Sequence, residues 1–298
     1  MSEQEPRFDR GAIRRAFDAA AATYDDAAVL QHEVGQRMLG RLDFIRLAPE
    51  RVVDVGAGTG TLTAALRQRY RKARVMALDL SPAMLRRARE HGSWLRPLPV
   101  VCGDAQALPL ADRSVDLLFS NTAFQWCDDL DRLFEECQRV LRPGGLLMFS
   151  TFGPDTLREL RESWSDADDA RHVNRFVDMH DIGDALISAR FADPVMDMEY
   201  FNLTYESVDS LMRDLKAVGA GTLRGGRAPG LTGRGHLRRM TAAYERYRGV
   251  DGRLPATWEV VYGHAWATDE LPQHKDASGA VTFSLESFRS RLRKDSSS

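Results

Sequence analysis

The stretch 51-RVVDVGAGTGTLT-63 constrains the fold more than any other. A short apolar run stops at a carboxylate, Asp54. Glycines then fall at every second position: Gly56, Gly58 and Gly60. A strand that turns sharply into a helix needs backbone with φ > 0, or room for something to lie against bare backbone. Glycine supplies both. The same strand–helix rhythm continues downstream. Strand candidates are 51–55, 73–80, 98–104, 114–120 and 145–151, with helices near 60–71, 82–91 and 129–141. The strands are solidly apolar rather than alternating. That pattern predicts an α/β fold with a parallel sheet covered on both faces. Open sheets of this kind bind ligands at the carboxyl ends of their strands. The glycine turn therefore marks the mouth of a site.

The flanks differ. Residues 11–47 are Ala-rich with helical spacing and read as two helices with a break near Thr23–Tyr24. After 152 the rhythm loosens: helices over 155–190, a strand-like piece at 194–205, a helix at 206–219, then the Gly- and Arg-rich run 221–240. The alternating segment 256–268 predicts a strand that returns to the sheet. The organisation expected is an N-terminal helical cap (1–49), a core (50–152), a further strand with a helical lid (153–255), the returning strand (256–268) and a polar, mobile tail (269–298).

Bulk properties narrow the class. The net charge is −2, which gives no overall bias toward nucleic acid or membrane. No apolar run approaches the roughly 18 residues that a membrane span needs. The three cysteines form no CxxC pair, which suits a reducing compartment. With no signal or transit segment apparent at the N-terminus, a cytoplasmic protein is expected, and a monomer.

The glycine spacing bears on the ligand. Dinucleotide sites use G-x-G-x-x-G and place pyrophosphate at the helix N-terminus. Here the spacing is G-x-G-x-G, with Asp54 two residues before the first glycine. A carboxylate there repels pyrophosphate and suits an amine or a sulfonium. Asp79 closes the second strand, 19 residues after Gly60, where an acid can accept both ribose hydroxyls. Asp104 closes the third. A strand-end Asp is also a common helix N-cap, so each acid alone has a second reading. Three acids in order beside one glycine turn point to a neutral-to-cationic nucleoside, S-adenosylmethionine (SAM).

The set D-x-G-x-G-x-G (54–60), ALDLSP (77–82), GDAQALPL (103–110) and RVLRPGG (139–145) resembles the class I SAM-dependent methyltransferases. The resemblance implies a Rossmann-like seven-stranded sheet whose last strand is antiparallel. It also implies that Asp54 or its adjoining backbone contacts the methionyl amine, and that Gly56, Ala57, Gly58 and Gly60 form the turn under the ligand. Asp79 holds the ribose, with Leu80 beside the adenine. Asp104 and Ala105 read the adenine edge, and Asn121 stands at the pocket mouth. More specific segments are similar to the malonyl-acyl-carrier-protein O-methyltransferase family of biotin biosynthesis: 16-AFDAAAATYDDAAVLQ-31, 120-SNTAFQWCDDL-130, 172-HVNRF-176, 215-LKAVGAGTLRGGR-227 and 262-YGHAWA-267. Ala57 departs from that family, which often has Cys there. The implied reaction esterifies the free carboxyl of a malonyl thioester, carried by acyl carrier protein or CoA.

Such an acceptor is already an anion, so no catalytic base is expected. None is spaced for it in the sequence, and no metal-ligand cluster is apparent. The substrate carboxylate suits a basic partner. Residues 205–250 carry nine Lys/Arg against four acids. Arg227 is the first candidate, Arg175 the second, with Arg224 beside them; a solvated helix face is the other reading of the patch. Tyr24 and Trp126 are candidates to touch cofactor or substrate, with core packing as the alternative. His172 and His180 read as surface or packing residues. Two other functions fit the same cofactor residues: a SAM-dependent protein arginine hydroxylase of the respiratory-complex assembly type, and a SAM-binding module without turnover.

Overall fold

The computed structural model describes residues 8–168, 170, 172–220 and 233–269. Seven strands form one sheet: β1 (Arg51–Val55), β2 (Arg74–Asp79), β3 (Val100–Cys102), β4 (Val115–Ser120), β5 (Leu141–Phe152), β6 (Phe191–Tyr205) and β7 (Leu254–Ala267). Their spatial order is β3-β2-β1-β4-β5-β7-β6. The first five pair in parallel, and β7 runs antiparallel between β5 and β6. The returning strand expected at 256–268 is this β7.

Strand order reverses between β1 and β4. Their carboxyl ends therefore diverge into helices on opposite faces, which leaves a crevice. On one face Val52, Val75, Leu117 and Met148 pack under α3 (Val29–Arg41) and α4 (Thr61–Arg69); on the other Val53, Leu118 and Phe149 meet α6 (Leu130–Val140) and α8 (Met179–Ser188). The sequence of α6 explains its seat. Asp129 caps it by accepting from the Arg132 amide, and Leu133, Phe134, Cys137 and Val140 recur at three- and four-residue spacing on the buried face.

Several boundaries move. β3 is shorter than 98–104, and β5 begins at Leu141, before the expected 145, and runs through Pro143 and Gly144. β6 starts at Phe191, before Pro194, because an irregularity between Ala192 and Val195 absorbs Asp193 at φ 47°. Among the described residues, the helices expected over 155–190 are two: α7 (Arg158–Ser165) and α8. The N-terminal break is real but yields three helices: α1 (Arg10–Ala20), a single turn α2 (Tyr24–Ala27), and α3. The described residues also hold α5 (Pro82–Arg89), α9 (Val208–Ala217) and α10 (Arg234–Tyr244). Among the described residues, no helix is long and apolar enough to cross a membrane.

Candidate active site

The glycine turn shows why no other residue fits. Gly56, Gly58 and Gly60 have φ of 73°, 54° and 86°. A Cβ on Gly56 would stand 2.3 Å from the Ala123 Cβ, which follows β4. The amides of Gly56 and Ala57 donate to the Leu78 carbonyl at the end of β2 (2.8 and 3.0 Å), so the turn is braced against the neighbouring strand.

Asp79 sits beside that turn. One carboxylate oxygen accepts from the Gly58 amide (2.9 Å), the other from the Ser81 amide (2.8 Å). Each oxygen keeps a further lone pair for a hydroxyl donor. Burial pushes its pKa up, against those backbone bonds. Asp54 lies deeper, 1% exposed, accepting from the Thr63 hydroxyl at 2.6 Å. Burial pushes its carboxyl up to about 7, with Thr63 working the other way. Asp104 accepts from the Gln106 amide and from the Arg10 guanidinium, both at 2.9 Å.

Two cavities, of about 100 and 320 Å3, share Tyr24, Gly56, Gly58, Asn121 and Thr122 in their walls. The first extends to Asp79, Leu80, Asp104 and Ala105; the second to Asp54, Ala57 and Gln31. Gly60 is buried behind them, opening α4. The arrangement fits a nucleoside carrying an amino acid. One lobe offers acids to ribose and base. The other offers a deep carboxyl to an ammonium. Bare backbone separates them. Tyr24 stands between, and burial with the nearby Asp79 and Asp25 charges raises its phenol well above the ordinary range, so it stays neutral. Asn121 is fixed by its own bonds, donating to the Gln31 carbonyl (2.8 Å) and accepting from the Ser150 hydroxyl (2.9 Å).

A third cavity, of about 530 Å3, adjoins this cup at Trp126, which lines both. Its wall is largely apolar and aromatic, including Phe152, Trp164, Phe176 and Trp258. Trp126 is itself held edge-on by Phe8 and Phe17. His172, expected on the surface or in packing, lines this cavity. It stacks on Trp164 with centroids 3.6 Å apart. Its Nε2 lies 2.8 Å from one oxygen of Asp168, whose other oxygen lies 2.8 Å from His236 Nδ1 on α10. His180 is exposed. Arg175 is exposed too and does not line the cavity, whereas its neighbours His172, Val173, Asn174 and Phe176 do. Arg224 and Arg227 lie outside the described residues.

The sequence reading missed what fastens the N-terminal helices over the cup. Asp18 on α1 accepts from the Ser81 hydroxyl (2.6 Å) and the Ala83 amide (3.1 Å). Arg10 joins Asp104 to Asp128, the Phe8 amide donates to Asp128, and the Thr59 hydroxyl donates to Asp25 at 2.6 Å. Each partner lies far away in sequence. Only the run of acids at strand ends hinted that bases or hydroxyls must meet them.

The chain's relatives agree with this geometry. Residues 53–149 match the methyltransferase domain family. The malonyl-[acyl-carrier protein] O-methyltransferase of Halorhodospira halophila is 51% identical over 287 residues, covering 96% of this chain and 97% of that protein. The protein of the same name from Methylovorus is 54% identical, covering 93% and 95%. Among solved structures, Haemonchus contortus phosphoethanolamine N-methyltransferase 2 in complex with S-adenosyl-L-methionine shares the fold: TM-score 0.51, 16% identity, 85% of this chain and 57% of that one. These names lend no support to the arginine-hydroxylase reading. With relatives this similar along nearly its whole length, the chain belongs to the malonyl-[acyl-carrier protein] O-methyltransferase family and is a methyltransferase.

Proposed function

We propose that this chain uses SAM to methylate the free carboxyl of malonyl-acyl-carrier protein. The residues proposed to hold the cofactor are Asp79 and Leu80 for the ribose and base, Asp104 with Ala105 at the adenine edge, and Asp54 below the amine. The glycine turn is the floor. When bound, SAM supplies a methyl group on a positively charged sulfur, whose leaving group is a neutral thioether.

The chain's own part is positioning and drying. A malonyl carboxylate carries its negative charge at neutral pH, so its oxygen needs no deprotonation. The observation that carries this reading is the junction itself. The aromatic cavity meets the cup at Trp126, and the phenol of the nearby Tyr24 is held neutral. A junction lined by Trp126 beside a neutral phenol suits an acceptor that arrives ionised and is stripped of water.

The test is transfer from SAM carrying a 13C methyl to malonyl-carrier protein, malonyl-CoA and free malonate in parallel. The expected product is a methyl ester on malonyl-carrier protein, removed by mild base. Label on none of the three, or label stable to base, would overturn the reading.

A further inference from the structure

The 530 Å3 cavity is built from the segments that looked most specific in the sequence. The Ala-rich helix gives Ala16, Ala19 and Ala20; the turn after β4 gives Gln125 and Trp126; the HVNRF run gives four of its five residues; and the LKAVGA run gives five of six. Two polar atoms of residues in its wall are buried without a partner, Asn174 Oδ1 and Trp258 Nε1. The wall also holds two cations, Arg213 and Lys216. They are three residues apart on α9 and so share a helix face. Both are exposed, and neither side chain takes a hydrogen bond or ion pair among the described residues. The acid between them in sequence, Asp214, lies near Tyr205, whose phenol is pushed up to about 12 by burial and then by that charge.

Given a malonyl thioester as acceptor, as proposed above, we infer that this cavity is the acceptor chamber and that Arg213 and Lys216 hold the phosphate of the phosphopantetheine arm at its rim. The orientation follows from the chemistry of the two ends. The carboxylate has to reach the cup, which this cavity meets at Trp126. The phosphate stays hydrated and fits exposed cations. The arm's two amides then run along the wall that contains Asn174 and Trp258. Carrier protein and CoA share this arm, so the site reads the arm rather than its bearer.

The test is equilibrium binding of 4′-phosphopantetheine and of pantetheine to the full chain, by calorimetry with S-adenosylhomocysteine present. Wild type is expected to bind the phosphorylated arm about tenfold more tightly, the scale of charge-assisted hydrogen bonds. The double variant R213M/K216M is expected to erase that preference and keep its affinity for S-adenosylhomocysteine. Lys216→Arg, which keeps the charge, is expected to keep the preference. Equal binding of the two arms by wild type, or a preference that survives in R213M/K216M, would overturn the assignment. Failure of wild type to methylate malonyl-carrier protein, with the phosphate preference intact, would instead refute the acceptor proposed above.

Discussion

The cofactor cup and the chamber beside it are assembled in opposite ways. The cup is made from short contiguous motifs at the ends of adjacent strands. Gly56, Gly58, Asp79 and Asp104 reach one crevice because the parallel strands β1 to β5 put their carboxyl ends on the same side. The chamber draws one to five side chains each from α1, the turn after β4, the end of β5, α7, the irregular chain before α8, α9 and β7. A site made of backbone turns depends on a few positions. A site made of packed side chains spreads its energy and tolerates more. Substitutions should separate the two.

The sharpest break is expected at Gly56. Gly56→Val places a branched side chain at φ 73°, against Ala123. Strain at such a position costs about 1–3 kcal/mol, and the side chain also fills the floor. SAM affinity is expected to fall more than about a hundredfold, read by calorimetry, while binding of the phosphopantetheine arm persists. Asp79→Ala comes next. It removes the proposed ribose acceptor and frees the Gly58 amide, and SAM affinity is expected to drop roughly 10- to 100-fold. Unchanged affinity would remove Asp79 from the site.

Asp54 sharpens the comparison through pH. Its folded-state pKa is raised to about 7 by burial. The folded chain therefore binds this proton more tightly than the unfolded chain does. The stability Asp54 contributes is present at low pH and is lost as pH rises through about 7. The ammonium of SAM should favour the ionised form, so SAM affinity is expected to rise between about pH 6 and 8. Asp54→Asn is expected to flatten both profiles. A variant as pH-dependent as wild type would assign the titration elsewhere. The smallest effect is expected at the fastening of α1: Asp18→Ala removes two hydrogen bonds to Ser81 and Ala83. A cost of about 1–2 kcal/mol is expected in denaturant unfolding, with SAM affinity reduced only a few-fold.

The same contrast explains what could be read before the structure. Glycine spacing and strand-end acids are local signals, since each reflects a turn or a strand end a few residues long. They were enough to indicate the walls of the cup, while the apolar runs placed the sheet and the alternating segment 256–268 placed the returning β7. The Arg10–Asp104 pair spans 94 residues, and nothing in either neighbourhood specifies it. The acceptor side was less legible for a related reason. In HVNRF the charged Arg175 attracted attention because carboxylates want cations. The irregular chain there places His172, Val173, Asn174 and Phe176 in the cavity wall, whereas Arg175 is exposed. His172 gave no periodic signal at all, because it is positioned by stacking on Trp164 and by a carboxylate that also holds α10.

The division of labour between cup and chamber is tested most directly by steady-state kinetics with SAM and malonyl-carrier protein varied independently, for wild type, Asp79→Ala and Val173→Phe. Val173 is buried in the chamber wall and is absent from the walls of both cup cavities. The account predicts that Asp79→Ala raises KM for SAM alone, and that Val173→Phe raises KM for the carrier substrate alone. A rise in both constants for both variants would contradict it, because cup and chamber would then be one site.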